Sequence, residues 1–196
     1  MAVGLAPLAV SDESLLNQAV AGHRNALDEL FRRYRLLAFR VAHRLLGNEA
    51  DALDAVQEAF VKALLHLPSF QGRSSFKTWM LRVVSNAALD LGRRRGRREA
   101  LSMDALGPKF REECEPLQET DPGHGLQRQD LRKKLHEALD QLSPAQRQTF
   151  VLHAEAELSY REVAETLGIS IGTVMSRLYY ARQRLRAVLE PWMTEE

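Results

Sequence analysis

SYREVAETLGISIGTVMSRLYYAR, residues 159–182, has the spacing of two short helices joined by a tight turn. Its apolar residues fall where two crossed helices must share a core: Val163, Leu167, Ile169, Val174 and Leu178. Ala164 is small where the helices would come closest, and Gly168 can adopt the positive φ of the turn. Another pair of packed helices could show part of this pattern. Because all the positions agree, the stretch predicts a helix-turn-helix.

The second helix of the motif is rich in arginine, with Arg177, Arg182, Arg184 and Arg186 and no acidic residue before Glu190. In a helix-turn-helix this helix lies in the major groove of DNA. Arginines there bind phosphates without reading sequence, whereas residues near the N-terminus of the helix read base edges. The candidate readers are Thr173, Met175, Ser176, Tyr179 and Tyr180. Some of these could be core residues or phosphate contacts, Tyr179 above all.

Further helices surround the motif in the C-terminal third. A helical face is formed by Leu131, Leu135, Ala138 and Leu142. SPAQ, residues 143–146, and SYRE, residues 159–162, each have the pattern of a capping box that starts a helix. Ser170 is expected to cap the last helix and Pro191 to end it. Residues 128–196 are thus predicted to form four helices, a helix-turn-helix or winged-helix-like domain.

The N-terminal half has helical periodicity in three segments. The first stripe, closed by Gly47, comprises Leu27, Leu30, Phe31, Tyr34, Ala38, Val41 and Leu45; the second, ended by Pro68, comprises Leu53, Val56, Phe60, Leu64 and Leu67; the third, with Gly92 as its stop, comprises Phe76, Trp79, Met80, Val83, Ala87 and Leu91. Three amphipathic helices would form a compact bundle. The fold class is therefore all-α, with two small helical domains at 12–98 and 128–196 after a flexible tail, 1–11.

Charge is distributed unevenly, although the net charge is only +1. Residues 73–98 hold eight basic side chains and one acidic, and residues 99–127 hold seven acidic and two basic. The acidic segment also contains three prolines and three glycines, which predicts a flexible linker. Such asymmetry indicates an electrostatic function better than the net charge does.

Several classes of protein are disfavoured. One cysteine, Cys114, excludes an internal disulfide framework and suggests a reducing compartment. Neither a signal peptide nor an apolar run of membrane-spanning length is present, so we expect no membrane insertion and a cytoplasmic protein. The six histidines show no metal-ligand or catalytic-triad spacing, and no Gly-rich phosphate loop occurs. We therefore expect no catalytic site, no metal and no cofactor.

Taken together, the chain resembles the extracytoplasmic-function (ECF) group of small sigma factors of bacterial RNA polymerase. These keep conserved regions 2 and 4 and lack region 3. The resemblance rests on Asp51–Leu64 and Ser74–Asp90 for region 2 and on Leu139–Arg186 for region 4. It implies that 12–98 is region 2, that 99–127 is an acidic linker passing through the polymerase, and that 128–196 is region 4. A disordered, solubilising tether is the alternative for the linker.

The resemblance implies core RNA polymerase as the main partner. On the second helix Asp51, Asp54, Gln57 and Glu58 would dock on the clamp helices of the largest subunit, opposite a buried face formed by Leu53, Val56 and Phe60. A merely solvated face is the alternative for these four residues. Region 4 would meet the flap of the second-largest subunit. The chain would act as a monomer within holoenzyme, and an anti-sigma factor is implied as a further partner.

The resemblance also implies promoter DNA as a ligand. For the minus-ten element the candidates are Phe70, Arg73, Lys77, Arg82, Asn86 and Asp90, followed by a phosphate clamp of Arg93, Arg94, Arg95 and Arg97 past the helix end. Phe70 and Arg73 would form a pocket for a flipped base, and Asn86 would read a base edge or be an ordinary surface residue. For the minus-thirty-five element the candidates are Thr173, Met175, Ser176, Arg177, Tyr179, Tyr180, Arg182 and Arg184.

Two positions depart from the family pattern. Met175 and Tyr180 stand where a basic residue is common, so a guanine-reading fork is missing there. The competing hypothesis is a stand-alone helix-turn-helix regulator. Such regulators are typically dimers, and no dimerisation helix or heptad seam is evident in this sequence.

Overall fold

The computed structural model describes residues 10–103 and 134–193, and their regular structure is helical throughout. Most of the predicted acidic linker and nearly all of the predicted tail lie outside the described residues. The first domain contains α1 (Asp12–Val20), α2 (Arg24–Leu46), α3 (Glu49–His66), a short 3-10 turn (Leu67–Ser69) and α4 (Phe76–Met103). The helix α1 was not predicted; Ser11 caps it by accepting a hydrogen bond from the Ser14 N–H.

The first apolar stripe is confirmed on α2. Leu30, Ala38, Val41 and Leu45 are buried, and Leu27, Phe31 and Tyr34 are partly buried against the same core. Gly47 ends the helix in the left-handed conformation, with φ 84°, as the sequence predicted.

On α3 the predicted core face is only partly correct: Leu67 is buried and Val56 and Phe60 pack against the core, but Leu53 and Leu64 are exposed. The buried residues are Ala52, Ala55, Ala59 and Ala63, each at most 1% exposed. Leu53 and Leu64 are 53% and 50% exposed, whereas Val56 and Phe60 are partly buried. The physical reason is that α3 packs against both α2 and α4, and alanine lets three helix backbones approach closely. A pattern based on large apolar side chains therefore missed the alanines and assigned two exposed leucines to the core.

The predicted stop of α4 at Gly92 is also wrong. The helix continues through Gly92 to Met103, because a glycine inside a helix costs only about 1 kcal/mol relative to alanine. A Cβ at position 92 would lie 3.4 Å from Leu46 Cδ2, so the glycine sits where α4 passes close to the end of α2. As a result, Arg93 to Arg97 lie on the helix rather than beyond it, and α4 extends into the predicted linker.

The second domain contains α5 (134–140 of the described residues), α6 (Pro144–Ala154), α7 (Tyr160–Leu167) and α8 (Ile171–Met193). Both predicted capping boxes are formed. Gly168 ends α7 with φ 65°, and the Ser170 hydroxyl accepts a hydrogen bond from the Thr173 N–H. The helix-turn-helix is confirmed, with Val163, Val174 and Leu178 buried.

One boundary differs: α8 includes Pro191 instead of ending before it. Proline lacks the N–H donor for the carbonyl four residues back, and its ring crowds that carbonyl. Pro191 is only two residues from the end of α8, so little helix follows the disruption.

The two domains share one apolar core. Buried residues of α6 and α7 such as Leu152 and Val163 belong to the same cluster as those of α2 and α4. Polar contacts surround it: Glu155 pairs with Arg40 at 2.8 Å and Arg44 at 3.5 Å. The buried amide Nε2 of Gln148 donates to Ser85 Oγ at 3.3 Å. The described residues thus form a closed arrangement of the two domains.

The alanine face of α3 makes a direct stability prediction. Ala55→Leu should lower the free energy of unfolding by about 1 to 3 kcal/mol, because a fully buried site has no space for three added carbons. Leu53→Ala should change it by less than about 0.5 kcal/mol, because that side chain is half exposed. Urea unfolding of both variants measures the difference. Equal losses, or a larger loss for Leu53→Ala, would contradict the observed face.

Candidate nucleic-acid interface

The helix α4 is buried along two neighbouring faces. Phe76, Met80 and Ala87 belong to the core shared with α2 and α3. Thr78 and Ser85 are also buried, 3% and 0% exposed, although both are polar. Ser85 accepts the hydrogen bond from Gln148 of α6. Between residues 76 and 90 only a narrow arc of α4 is exposed, and it carries Arg82 and Asn86.

The helical period sorts the arginines after Gly92 into two sets. At about 100° per residue, Arg93 and Arg97 continue the exposed arc of Arg82 and Asn86. This line of residues, Arg82, Asn86, Arg93 and Arg97, is termed the α4 stripe. Asp90 lies beside it and pairs with Arg93 at 3.3 Å. The stripe is a continuous, mainly basic surface along one rigid helix.

The other two arginines turn towards α3. Arg95 forms an ion pair with Asp51, and Arg94 lies 3.8 Å from Glu58. The predicted phosphate clamp is therefore divided: two of its four arginines contact residues predicted to bind polymerase. Both arginines are about half exposed, so these pairs contribute little to stability. Their effect is that the charges of Arg94 and Arg95 are partly neutralised by carboxylates of α3.

An aromatic pair stands at the start of the α4 stripe. The rings of Phe70 and Trp79 lie 5.1 Å apart at 58°, and Trp79 precedes Asn86 by two helical turns on the same side. Trp79 was predicted to be core but is only partly buried. Arg73 is exposed, and Lys77 is partly exposed. Partly exposed aromatic rings beside arginine can stack an unpaired base, so Trp79 joins the candidate site. The sequence signal for Trp79 was its position seven residues before Asn86, which places the two side chains on the same side of α4.

The acidic side of α3 is at the surface, as predicted. Asp54 and Gln57 are exposed, whereas Asp51 and Glu58 are partly buried. Asp51 also accepts a hydrogen bond from Asn48 Nδ2 at 2.7 Å, which links it to the helix N-cap. A hydrogen bond from Lys62 lowers the pKa of Glu58, helped by the charge of Arg94. Glu58 is therefore ionised at neutral pH.

Beside these acids α3 exposes large apolar side chains that the sequence reasoning assigned to the core or overlooked. They are Leu53, Val61, Leu64 and Leu65, between 50% and 70% exposed. An apolar patch of this kind, bordered by charged residues, is typical of a protein-binding surface. The signal was present in the sequence as a second apolar face on α3, opposite the alanines.

The recognition helix α8 presents its candidate residues to solvent at one end. Met175, Ser176, Tyr179 and Tyr180 are exposed, as are Arg182 and Arg184, and Thr173 and Arg177 are partly buried. Tyr179 and Tyr180 are each 57% exposed, so the alternative that Tyr179 is a core residue is wrong. The core side of α8 consists of Val174, Leu178, Ala181 and Leu185.

Glu162 joins the two domains electrostatically. Its pKa is lowered mainly by the hydrogen bonds from Ser159 in the capping box, and further by the charge of Lys77 and a hydrogen bond from Thr78. The Glu162 carboxylate thus belongs to the capping box at the N-terminus of α7 and also faces the first turn of α4.

Other kinds of site find no support in the described residues. Residues 10–103 and 134–193 contain no group of three or more side chains suited to hold a metal ion. Across the same ranges, no helix is both long and apolar enough to cross a membrane.

Comparisons with known proteins agree with this architecture. The family model for Sigma-70 region 2 matches residues 30–98, and that for Sigma-70 region 4 matches residues 132–185. Over 168 residues the chain is 36% identical to the "ECF RNA polymerase sigma factor SigE" of Mycolicibacterium smegmatis, covering 86% of this chain and 63% of that relative. It is 30% identical over 186 residues to the "RNA polymerase sigma-H factor" of Pseudomonas aeruginosa, covering 94% and 96%.

Two solved structures resemble the chain over most of its length. CnrH in complex with the cytosolic domain of CnrY matches with a TM-score of 0.70 and 26% identity, covering 92% of this chain and 97% of that one. The sigma factor RpoE of Bartonella quintana, in complex with the anti-sigma factor NepR, matches with a TM-score of 0.63 and 27% identity, covering 86% and 99%.

Proposed function

Because the chain belongs to the ECF group of sigma-70 family RNA polymerase sigma factors, we propose that it binds core polymerase and directs transcription initiation at its own set of promoters. One observation carries this conclusion: both family modules occur in order on one chain, at 30–98 and 132–185. A stand-alone regulator would need only the second module. The protein would act in the cytoplasm, where polymerase transcribes, and would catalyse no reaction itself.

Binding of the polymerase is assigned to α3. Asp51, Asp54, Gln57 and Glu58 supply charge and hydrogen bonds, and the adjacent apolar patch supplies buried area. Protein interfaces commonly have an apolar core surrounded by a polar rim. We assign this surface to the clamp helices of the largest subunit, and the second domain to the flap of the second-largest subunit. An anti-sigma factor would compete for these surfaces.

Promoter opening is assigned to the α4 stripe with Phe70, Arg73, Lys77 and Trp79. The aromatic pair would stack a base flipped from the minus-ten element, Asn86 would read its neighbour, and Arg93 and Arg97 would hold phosphates. Unstacking a base costs a few kcal/mol, which contacts to the single strand offset. Melting is then a population shift towards the state that the protein binds better.

Simultaneous binding of both promoter elements requires the two domains to separate. Elements centred roughly 25 base pairs apart lie about 85 Å apart at ~3.4 Å per step. A compact chain of 196 residues has a radius of gyration of about 16 Å, which is too small to reach both. Residues 104–133 number 30 and could span about 100 Å when extended. We therefore assign the closed arrangement to the protein before it binds a promoter.

Run-off transcription with core polymerase tests the function itself. The purified chain should enable core polymerase to initiate on members of a promoter library, and it should co-elute with core polymerase in size-exclusion chromatography. If no library member is transcribed and no complex with core forms, the proposed function is wrong. Specific duplex binding without polymerase would instead favour the stand-alone regulator.

The division of the arginines predicts unequal effects on promoter binding. Replacing Arg93 and Arg97 by glutamine should reduce the slope of log affinity against log salt by about 1 to 2, because each phosphate contact contributes ~0.7 to 0.9. The matched double variant of Arg94 and Arg95 should change the slope less, because those side chains face α3. Promoter binding by holoenzyme at several salt concentrations measures both. A larger effect of the Arg94 and Arg95 pair would contradict the assignment.

The domain interface predicts that charge reversal opens the free protein. Glu155→Lys should replace attraction to Arg40 and Arg44 by repulsion, and the radius of gyration from small-angle X-ray scattering should rise above that of the unsubstituted protein. Glu165→Lys makes the same charge change at an exposed position of α7 and serves as the control. An unchanged radius for Glu155→Lys, or an equal increase for both, would show that these ion pairs do not hold the domains together.

A further inference from the structure

The first ten residues of α8 expose an unusual number of large apolar side chains. Ile171, Met175, Tyr179 and Tyr180 are between 44% and 57% exposed, and they are four of the eleven exposed large apolar residues in the described ranges. Single exposed apolar residues are ordinary on a protein surface. A cluster of them on the second helix of a helix-turn-helix is not ordinary. Such side chains would be shielded from water when that helix lies in the major groove.

Within this cluster the side chains have defined positions. The rings of Tyr179 and Tyr180 meet edge to face with centroids 5.4 Å apart. Gln183 Nε2 donates a hydrogen bond of 2.7 Å to the Tyr179 hydroxyl. Met175 and Tyr179 also line a shallow groove of about 370 Å³ together with Tyr160, Arg182, Gln183 and Arg186. The helix thus offers a mainly apolar strip, formed by Met175, Ser176, Tyr179 and Tyr180. The side chain of Tyr179 is held by the ring of Tyr180 and by Gln183.

Arginines border this apolar strip on both sides. At about 100° per residue, Arg177 and Arg184 lie on one flank of the strip and Arg182 lies on the other, while Arg186 continues the line of Met175 and Tyr179 towards the C-terminus. The major groove has the same organisation, with base edges in the middle and a phosphate backbone on each side. Charge complementarity therefore identifies duplex DNA as the ligand and directs the strip at the base edges.

The chemistry of the apolar strip then selects among the bases. Thymine alone presents an apolar group, the C5 methyl, in the major groove, whereas guanine is read by a bidentate arginine or lysine. Resting on the function proposed above, we propose that α8 reads thymine methyl groups in the minus-thirty-five element. Met175 and Tyr179 are the specificity-determining residues, Ser176 bonds either base type, and the flanking arginines hold the two backbones.

Selection and methyl deletion together test the proposal. Holoenzyme would select promoters from a pool randomised across the minus-thirty-five element, and the selected sequences should carry T·A pairs at adjacent positions. Replacing those thymines by deoxyuridine removes only the methyl groups, and it should weaken duplex binding about fourfold per methyl, as burial of one carbon implies. The same replacement in the spacer is the control. Selected elements dominated by guanine, or equal binding of thymine and uracil, would overturn the proposal.

Variants of exposed residues locate the contact. Met175→Ala should bring the ratio of thymine to uracil binding close to 1 at one position, and Met175→Arg should shift selection towards guanine there. Tyr180→Phe keeps the apolar ring and should keep the preference for thymine. If Met175→Ala leaves the ratio unchanged, the proposal is wrong and the strip is a surface for a protein partner. If holoenzyme transcribes no promoter from the pool, the proposed function itself has failed.

Discussion

The fold depends on the burial of α4 along two neighbouring faces. One face packs into the bundle of α2 and α3, and the other receives α6 and α7 of the second domain. A helix held in this way has only one arc left for a ligand. That arc carries Arg82 and Asn86, and the helical period adds Arg93 and Arg97 to it. The position of the proposed minus-ten surface therefore follows from packing, not from the sequence of the arginine run.

The second domain could be predicted almost completely, because its signals are local. Serine caps, a glycine in the left-handed region and a short apolar pattern act over three or four residues, and all are formed. The first domain was harder because its decisive interactions join distant segments. On α3 the alanines are buried by close approach of two other helices, which no local pattern reveals. Gly92 does not end α4, because the helix continues past it and a Cβ there would make only ordinary contact with Leu46.

The resemblance to the ECF sigma factors predicted more of the candidate site residues than apolar periodicity and charge distribution did. The acidic residues of α3 and the readers on α8 are at the surface, as expected. Trp79 and the exposed leucines of α3 were missed, because large apolar residues on a helix are assigned to the core by default. The pairing of Arg94 and Arg95 with α3 was equally hidden, since Asp51 and Arg95 are 44 positions apart.

The uninterrupted α4 also decides where the connection to the second domain begins. At ~1.5 Å per residue, the eleven residues after Gly92 carry the chain about 16 Å beyond the core. The segment that joins the two domains is therefore anchored well outside the packed core, and Arg93 and Arg97 lie on the projecting part of the helix, where residues 93–97 are all exposed.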